Sequence, residues 1–265
     1  LPGEEIAIRY GDIFADGRLQ RKPFDVQEAV WQLVYDSALR PREPQPGAAP
    51  RWVAESGGLA EDEQGLRVTP GPGGKPALLR YAAPITDFAA YIGDNPLRQR
   101  FAPERPGGAA DLNPVGDLRW EVHARLDAPG HLRLFIREDD RLWSACIPFG
   151  EQEARTAIEL DGKPVASLPV TFKVGAEQRI LFWNADGRLE LRVNDVPLLA
   201  HDETTPLERV PWQAYANGLG IEVGGAPAAI SRVRLHRDLY YVAVPPALYT
   251  VPAGHCFVLG DNTRN

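Results

Sequence analysis

The side chains that could carry out chemistry in this chain of 265 residues are few, and they stand apart from one another. Acyl-transfer chemistry needs a nucleophile such as serine beside a base such as a deprotonated lysine. The sequence contains five serines and four lysines, and none of them lies in a recognisable nucleophile motif. We therefore expect no catalytic residue among Ser37, Ser56, Ser144, Ser167, Ser231, Lys22, Lys75, Lys163 and Lys173.

Two other stretches contain residue types that bind ions or phosphates. His201, Asp202 and Glu203 offer metal-ligand side chains in a row, but adjacent residues do not easily converge on one ion without further ligands. A solvated loop is the favoured interpretation. The loop at 71–75 reads Gly-Pro-Gly-Gly-Lys, yet Pro76 follows where a phosphate-binding loop needs serine or threonine. We expect no metal and no cofactor in this chain.

The end of the sequence carries its most distinctive motif. From residue 251 it reads VPAGHCFVLGDNTRN, a hydrophobic segment that runs into Gly260-Asp261-Asn262 and ends at Asn265. This order resembles the start of the last conserved box of type I signal peptidases, in which a hydrophobic strand runs into Gly-Asp-Asn-x-x-Asn. A Gly-Asp-Asn triplet alone is a common turn, so a second motif is needed to support the resemblance.

The opening stretch of the chain supplies that second motif. Residues 1–5 read LPGEE and resemble the segment that follows the catalytic lysine of the same family, where a Pro-Gly turn leads into paired strands. The resemblance implies a parent protein that is a membrane-anchored serine endopeptidase with a serine–lysine dyad. Such an enzyme removes signal peptides, so its partner would be the signal-peptide region of an exported preprotein. Both dyad residues would lie outside this segment, which we expect to be inactive.

The resemblance also implies roles for residues near the end of the chain. Gly260, Asp261 and Asn262 would form the turn that positions the catalytic region, with Asp261 in an ion pair with a basic residue. Asn265 would stand just before the missing serine and orient the lysine. An ordinary solvated turn is the alternative interpretation. The expected location is the extracytoplasmic, periplasmic side of the cell membrane, reached through membrane segments outside this chain.

The composition excludes some classes of partner. Lysine plus arginine number 29 against 36 for aspartate plus glutamate, and the net charge of -7 disfavours a nucleic-acid partner. No stretch approaches the roughly 18 consecutive apolar residues that a membrane span needs. The 25 glycines and 25 prolines, placed between short alternating apolar segments, indicate a β-rich chain with many turns. Cys146 and Cys256 could form one disulfide or remain separate thiols.

The organisation predicted from these observations is an insertion. Residues 1–24 and 237–265 would form a small, discontinuous signal-peptidase-like β scaffold, with both ends of the chain in one sheet. Ile6 and Ile8 alternate with Ala7 and predict the first strand of a compact ribbon. A guest domain can be inserted between two such strands when its own ends lie close together.

One short helix and a linker are predicted between the scaffold and the insert, over residues 25–50. The period of the apolar residues changes after Phe24, and Asp25 with Glu28 resembles a capping box, so a helix is predicted over 25–35. The prolines between 39 and 50 fit neither regular element and predict a linker.

Residues 51–236 are predicted to form an antiparallel β-sandwich. The segments at 120–126 and 132–136 alternate apolar with polar residues, as strands with one buried face do. Many such strands without an intervening helical pattern indicate two packed sheets. Their order resembles the concanavalin-like and laminin-G-like jelly rolls. The predicted fold is therefore mainly β, a concanavalin-like jelly-roll sandwich inserted into a small β scaffold, with one short helix.

Three functions stay open for the predicted sandwich. It could bind a cell-envelope glycan or protein near a protease, or it could be a structural spacer. Alternatively, the terminal motifs match by chance, and the chain is a stand-alone lectin-like carbohydrate-binding or protein-interaction module. Lectin-like sandwiches use aromatic side chains to bind sugars, whereas most tryptophans are core residues. The tryptophans that bear on this choice are Trp31, Trp52, Trp120, Trp143, Trp183 and Trp212.

Overall fold

The computed structural model describes residues 5–9, 11–39, 50–87, 114–151, 153–203, 217–241 and 248–258. Within these ranges the protein consists of two large sheets, a small sheet, one α-helix and one short 3-10 turn at Pro72–Gly74. The prediction of a mainly β, antiparallel sandwich with one short helix is confirmed. No helix of the described ranges is long and apolar enough to cross a membrane.

Seven strands form one large sheet, which we call the front sheet. Their order across the sheet is β13 (Lys163–Leu168), β12 (Thr156–Leu160), β11 (Arg141–Phe149), β10 (Gly130–Glu138), β17 (Asn217–Gly224), β8 (Ala77–Tyr81) and β5 (Trp52–Ser56). Each neighbouring pair is antiparallel. β10 lies at the centre and pairs along nearly its whole length with both β11 and β17, which fixes the register of the side chains on either face.

Eight strands form the second large sheet, which we call the back sheet. Its strands are β16 (Val196–Asp202), β15 (Arg188–Val193), β14 (Gln178–Ala185), β9 (Leu118–Leu126), β18 (Ala228–Arg237), β7 (Gly65–Thr69) and β6 (Gly58–Asp62), with β4 (Gln32–Asp36) also paired to β18. β9 pairs with one side of β18 along its length, while β7 and β4 pair with successive parts of the other side.

The inner faces of the two large sheets enclose one hydrophobic core. Side chains of a strand alternate between the two faces of its sheet, and Leu132, Leu134 and Ile136 of β10 are fully buried on the inner face. Trp120 and Trp143 are among the largest members of the core. A slip of one residue in strand pairing would move these side chains into solvent, so the register is strongly specified.

The single α-helix is shorter than the sequence predicts. α1 covers Phe24–Val30 rather than 25–35, and at Trp31 the chain becomes extended and enters β4. Pairing with β18 gives β4 its backbone hydrogen bonds, and this tertiary pairing overrides the helical pattern. The predicted capping box does not form. No side chain caps the helix, and Glu28 instead accepts a hydrogen bond of 2.8 Å from Arg119.

The helix and the residue after it pack on the outer face of the back sheet. The ring of Phe24 lies 6.2 Å from that of Trp183, and the guanidinium of Arg192 stands 4.4 Å above the Phe24 ring. Trp31 packs against the small apolar cluster that contains Leu181 and Trp183. Part of this outer face is therefore closed by the protein itself.

Charged side chains fill the remainder of that outer face in pairs. Glu121 accepts hydrogen bonds from Arg179 at 3.0 Å and from Arg234 at 3.3 Å. Asp36 of β4 accepts from Arg232 at 2.8 Å and from Arg234 at 3.0 Å. Burial acts to raise the pKa of Glu121, but the hydrogen bond and charge of Arg179, with the charge of Arg234, lower that pKa to about 2.

A third, small sheet contains both ends of the described chain. Its order is β19 (Leu248–Thr250), β1 (Glu5–Arg9), β2 (Asp12–Ala15) and β3 (Arg18–Leu19). Glu5 of β1 pairs with Thr250 of β19, so the two ends meet in one sheet. The division of the chain into segments 1–24, 25–50, 51–236 and 237–265 stays a prediction.

Lys22, just after β3, ties the small sheet to the sandwich. Its ammonium donates to both carboxylate oxygens of Asp186 at 2.8 Å and to Asp238 at 2.7 Å. Asp186 lies in the turn after β14, and Asp238 follows β18. Burial acts to lower the pKa of Lys22, but the charges of Asp238 and Asp186 outweigh burial and raise that pKa above its ordinary value. The ammonium is therefore charged at neutral pH.

Replacing Lys22 tests its part in holding the two sheets together. Lys22→Met leaves buried carboxylates without their cation and is expected to lower the free energy of unfolding at pH 7 by about 3 kcal/mol. A raised lysine pKa stabilises the fold below the pKa of the unfolded chain, about 10.4, so the full effect is present at pH 7. Urea unfolding measures the loss. Lys163→Met on the exposed side of β13 is the control, and equal effects of the two variants would contradict the assignment.

The buried His236 is expected to make the folded protein less stable in acid. Burial first, then the neighbouring charge of Arg119 and that of Arg234, lower the pKa of His236 to about 3, against the opposing effects of Glu121 and Asp36. Below about pH 6.5 His236 binds a proton in the unfolded chain but not in the folded chain. As the pH falls from 6.5 to 4, His236 therefore lowers the free energy of unfolding by about 1.4 kcal/mol per pH unit. His236→Gln is expected to show a shallower fall in urea unfolding, and identical slopes would refute this.

Candidate binding face on the front sheet

The residues singled out by the sequence are not brought together into a site. Gly260, Asp261, Asn262 and Asn265 lie outside the described residues, which end at Val258. Their predicted roles stay untested.

The His201-Asp202-Glu203 row has separate partners rather than one shared centre. The ring of His201 lies 6.0 Å from that of Trp143, and Asp202 accepts a hydrogen bond of 3.0 Å from Arg188. Glu203 forms an ion pair of 3.2 Å with Arg141. The row therefore belongs to strand packing and surface ion pairs. The predicted loop at 71–75 contains the 3-10 turn and is followed by β8, not by the helix that a phosphate loop requires.

The tryptophans do not line an open sugar-binding surface in the part of the chain that the structure describes. Trp52, Trp120, Trp143 and Trp183 are buried, and the most exposed of these four keeps only 4% of its surface accessible. Trp31 is partly buried under the helix, and Trp212 lies outside the described residues.

Strand β17 gives the outer face of the front sheet an unusual shape. Leu219, Ile221 and Val223 point into the core, so the outward positions are Gly218, Gly220, Glu222 and Gly224. Glu222 is thus the single outward side chain on this strand. Glycine inside a strand weakens the strand, and it often marks a place where another group approaches the backbone closely.

The register of β10 against β17 explains two of the glycines. His131 lies opposite Gly224, and Phe135 lies opposite Gly220. A Cβ on Gly224 would fall 2.2 Å from Cε1 of His131, because the imidazole ring occupies that space. At Gly220 a Cβ would lie 3.1 Å from the carbonyl oxygen of Leu79 and 3.6 Å from the ring of Phe135. Gly224 therefore allows the histidine ring to lie across the strand.

Two side chains of β10, Arg133 and His131, hold Glu222 in place. Arg133 lies opposite Glu222 and donates to its Oε1 at 3.1 Å, and His131 Nε2 stands 3.2 Å from the same oxygen. The hydrogen bond from His131 first, and the charge of Arg133 next, lower the pKa of Glu222 below its ordinary value although burial acts in the opposite direction. Glu222 is therefore an ionised acceptor in a fixed position.

The polar row, which begins with Glu222, His131 and Arg133, continues across the sheet to Glu159 of β12. The Nε atom of Arg133 lies 3.5 Å from Oε2 of Glu159, and the hydroxyl of Ser144 donates to that oxygen at 3.0 Å. The side chains of His131, Arg133 and Glu222 remain 29%, 28% and 20% exposed, so this row is within reach of a ligand. It presents ionised acceptors and fixed donors next to the aromatic ring of Phe135.

Cys146 occupies the position beside Arg133 on β11. Burial raises the pKa of its thiol, and the nearby charge of Arg133 offsets this only in part. Cys146 and Cys256 are both free thiols, so they do not form the disulfide that the sequence leaves open. The protonated thiol makes Cys146 a packing residue of this face rather than a nucleophile.

Sequence reasoning identifies β17 as a strand but not as part of a site. The segment from Asn217 reads NGLGIEVGG, in which glycine recurs at every second position except that of Glu222. Because the side chains of a strand alternate between its two faces, this spacing places the glycines and Glu222 on the same face.

Comparisons with known proteins support the fold and not a family. The sequence matches no known protein-family model and no curated protein. Among solved structures, peanut lectin with a 9mer peptide is 10% identical, with 76% of this chain and 95% of the lectin covered and a TM-score of 0.50. The carbohydrate binding module CBM66 from Bacillus subtilis is 12% identical, with 69% of this chain and 93% of that chain covered and a TM-score of 0.46.

A third solved structure is of the same general kind. The VIP36 exoplasmic/lumenal domain in its Ca2+/Man3GlcNAc-bound form is 13% identical, with 74% of this chain and 87% of that chain covered and a TM-score of 0.47. At these identities the likeness to peanut lectin shows the fold alone. It confirms the concanavalin-like part of the predicted fold, a lectin-type β-sandwich.

The resemblance to type I signal peptidases is wrong. No family model matches, and the fold is similar to that of peanut lectin, a lectin-type sandwich. The derived activity as a serine endopeptidase and the signal-peptide partner therefore fall with it. The physical reason is that a Pro-Gly turn and a Gly-Asp-Asn turn specify local backbone shape and carry no chemistry of their own. Paired chain ends are likewise a common property of domains.

The glycines of β17 generate a prediction about the shape of this face. Gly224→Ala would push the His131 ring from its position and is expected to lower the free energy of unfolding by about 1 to 3 kcal/mol. Gly218→Ala is the matched control on the same strand, because a Cβ there would meet only the Cβ of Arg137 at 3.8 Å. Urea unfolding of both variants measures the difference. Similar losses in the two variants would show that the ring does not require Gly224.

Proposed function

We propose that this chain is a non-catalytic, lectin-like carbohydrate-binding module that binds a glycan on the outer face of its front sheet. The observation that carries this proposal is the partly exposed, ionised Glu222, held by His131 and Arg133 on a strand whose other outward positions are glycines. The lectin-type sandwich supports it as a scaffold of the right kind. The VIP36 and CBM66 structures are named for carbohydrate-bound or carbohydrate-binding domains, but their likeness to this chain is too low to carry an argument.

The chemistry of the face suits sugar hydroxyl groups. A hydroxyl both donates and accepts, so it can donate to the carboxylate of Glu222 and accept from the guanidinium of Arg133. Phe135 adds an apolar ring against which the C-H face of a sugar can pack. The absence of a side chain at the partly exposed Gly218 lets a flat ring approach the backbone of β17 there.

The same geometry favours binding over cleavage. Glycoside hydrolysis needs one carboxylic acid whose pKa is raised so that it can protonate the leaving group. The pKa of Glu222 is lowered instead, because His131 and Arg133 stabilise its charged form. Glu159, the other carboxylate of the row, faces the same guanidinium. Glu222 is therefore not arranged as a general acid.

The location of the protein is part of the proposal. Glycans of the cell envelope lie outside the cytoplasm, so a module that binds them would act on the extracytoplasmic side. This is the location expected from the sequence, supported here by glycan binding rather than by a peptidase. A cell-envelope protein as partner is the remaining interaction alternative.

Binding to an array of immobilised oligosaccharides at pH 7, followed by calorimetric titration with the best ligand, tests the proposal. Glu222→Gln is expected to weaken binding by about 10- to 100-fold, since a charged hydrogen-bond acceptor is lost. Glu63→Gln, in the exposed turn between β6 and β7, is the control and should bind as the unmodified protein does. A protein that binds no glycan on the array, or a Glu222→Gln variant of unchanged affinity, would sink the proposal.

A further inference from the structure

We propose that Asp12, Asp117 and Asp186, together with the amide oxygen of Asn184, form a calcium-binding site where the small sheet meets the sandwich. One carboxylate oxygen from each aspartate lies within 4.8 Å of the other two, and all three residues are buried. They come from β2, the start of β9 and the turn after β14, so a bound ion would join separate elements. No metal is expected from the sequence, in which these three residues lie far apart.

The three aspartates lie among further buried carboxylates. Asp238 and Glu138 are also buried and act on Asp117 along with Asp12 and Asp186. Lys22 supplies one positive charge, and its three ammonium hydrogens are taken by Asp186 and Asp238. Burying several carboxylates near one another without compensating charge is costly.

The buried guanidinium of Arg237 lies beside this cluster, where the charge of Asp238 acts on it. It donates to the backbone carbonyl oxygens of Asp238 at 2.9 Å and of Asp87 at 2.6 Å, not to the carboxylate group of Asp117. Asp117 itself accepts a hydrogen bond of 3.2 Å from the backbone N-H of Asp186. Among the described residues this neutral N-H is its hydrogen-bond donor, and the charge of Lys22 acts on Asp117 without a hydrogen bond.

An independent observation at Asn184 points to a ligand. Asn184 is only 2% exposed, and its amide nitrogen donates to Glu138 at 2.9 Å. Its Oδ1 atom has no hydrogen-bond donor among the described residues. Asn184 pairs with Leu118, the residue after Asp117, and stands two positions before Asp186 on the same chain segment. A buried amide oxygen without a donor is uncommon, and a cation beside it would satisfy it.

The set of donors selects the kind of ion. All the available ligand atoms are oxygens, from carboxylates and an amide, which is the set that calcium prefers in sites with six to eight oxygen ligands. Carboxylate oxygens have spare lone pairs, so Asp186 can contact both Lys22 and an ion. Without a cation, carboxylates this close together can instead share a retained proton.

Thermal unfolding and calorimetry of the complete chain, stripped with a chelator and kept free of glycan, test this inference at pH 7.5. Calcium chloride at about 100-fold above its dissociation constant is expected to raise the melting temperature by about 5 °C or more. Asp117→Asn should abolish this shift, while Asp140→Asn, in the exposed β10–β11 turn, should keep it. Magnesium chloride is the probe of ion selectivity and should give a smaller shift.

Two results would overturn the calcium site. The first is a complete chain whose melting temperature and heat of titration do not respond to calcium, which would assign the cluster to a retained proton. The second is an Asp117→Asn variant whose calcium response equals that of the unmodified chain. If Asp117→Asn does not fold, the titration of the unmodified chain still decides between a cation and a proton.

Discussion

The alternation of side chains along β10 and β17 is the constraint on which both the core and the binding face depend. The register that buries Leu132, Leu134 and Ile136 also sets His131, Arg133 and Phe135 on the outer face, opposite Gly224, Glu222 and Gly220. A slip of one residue would expose the core and separate Arg133 from Glu222 at the same time. The geometry of the candidate site is therefore maintained by the packing energy of the whole sandwich.

The carboxylates on the outer faces of the two large sheets differ in their exposure to solvent. On the back sheet, the carboxylates of Asp36 and Glu121 keep only 2% and 4% of their side-chain surface exposed, although the arginines that pair with them are 30 to 35% exposed. On the front sheet, the pair of Arg133 and Glu222 keeps a fifth or more of its side-chain surface exposed. A buried carboxylate is out of reach of a ligand, whereas Glu222 is a fixed acceptor that remains accessible.

The fold class could be predicted from the sequence because it depends on a local property, the period of apolar residues. The predicted helix was too long because β4 obtains its hydrogen bonds from β18, about two hundred residues away in the chain, which no local pattern reveals. The same limit hides the site. Arg133 and Glu222 are 89 positions apart, and Lys22 and Asp238 are 216 apart, so only the pairing of strands brings them together. The motifs near the two ends of the chain indicated a wrong family because short turns are local features that many folds share.

The most direct test of the central claim is to map where a glycan contacts the protein. Backbone amide chemical shifts, recorded by NMR as the best oligosaccharide from the array is added, report that location residue by residue. The account predicts that the largest changes fall on residues 131–137 of β10 and 218–224 of β17. Changes confined to the back sheet or to the small sheet would contradict it, because the glycan would then bind away from Glu222.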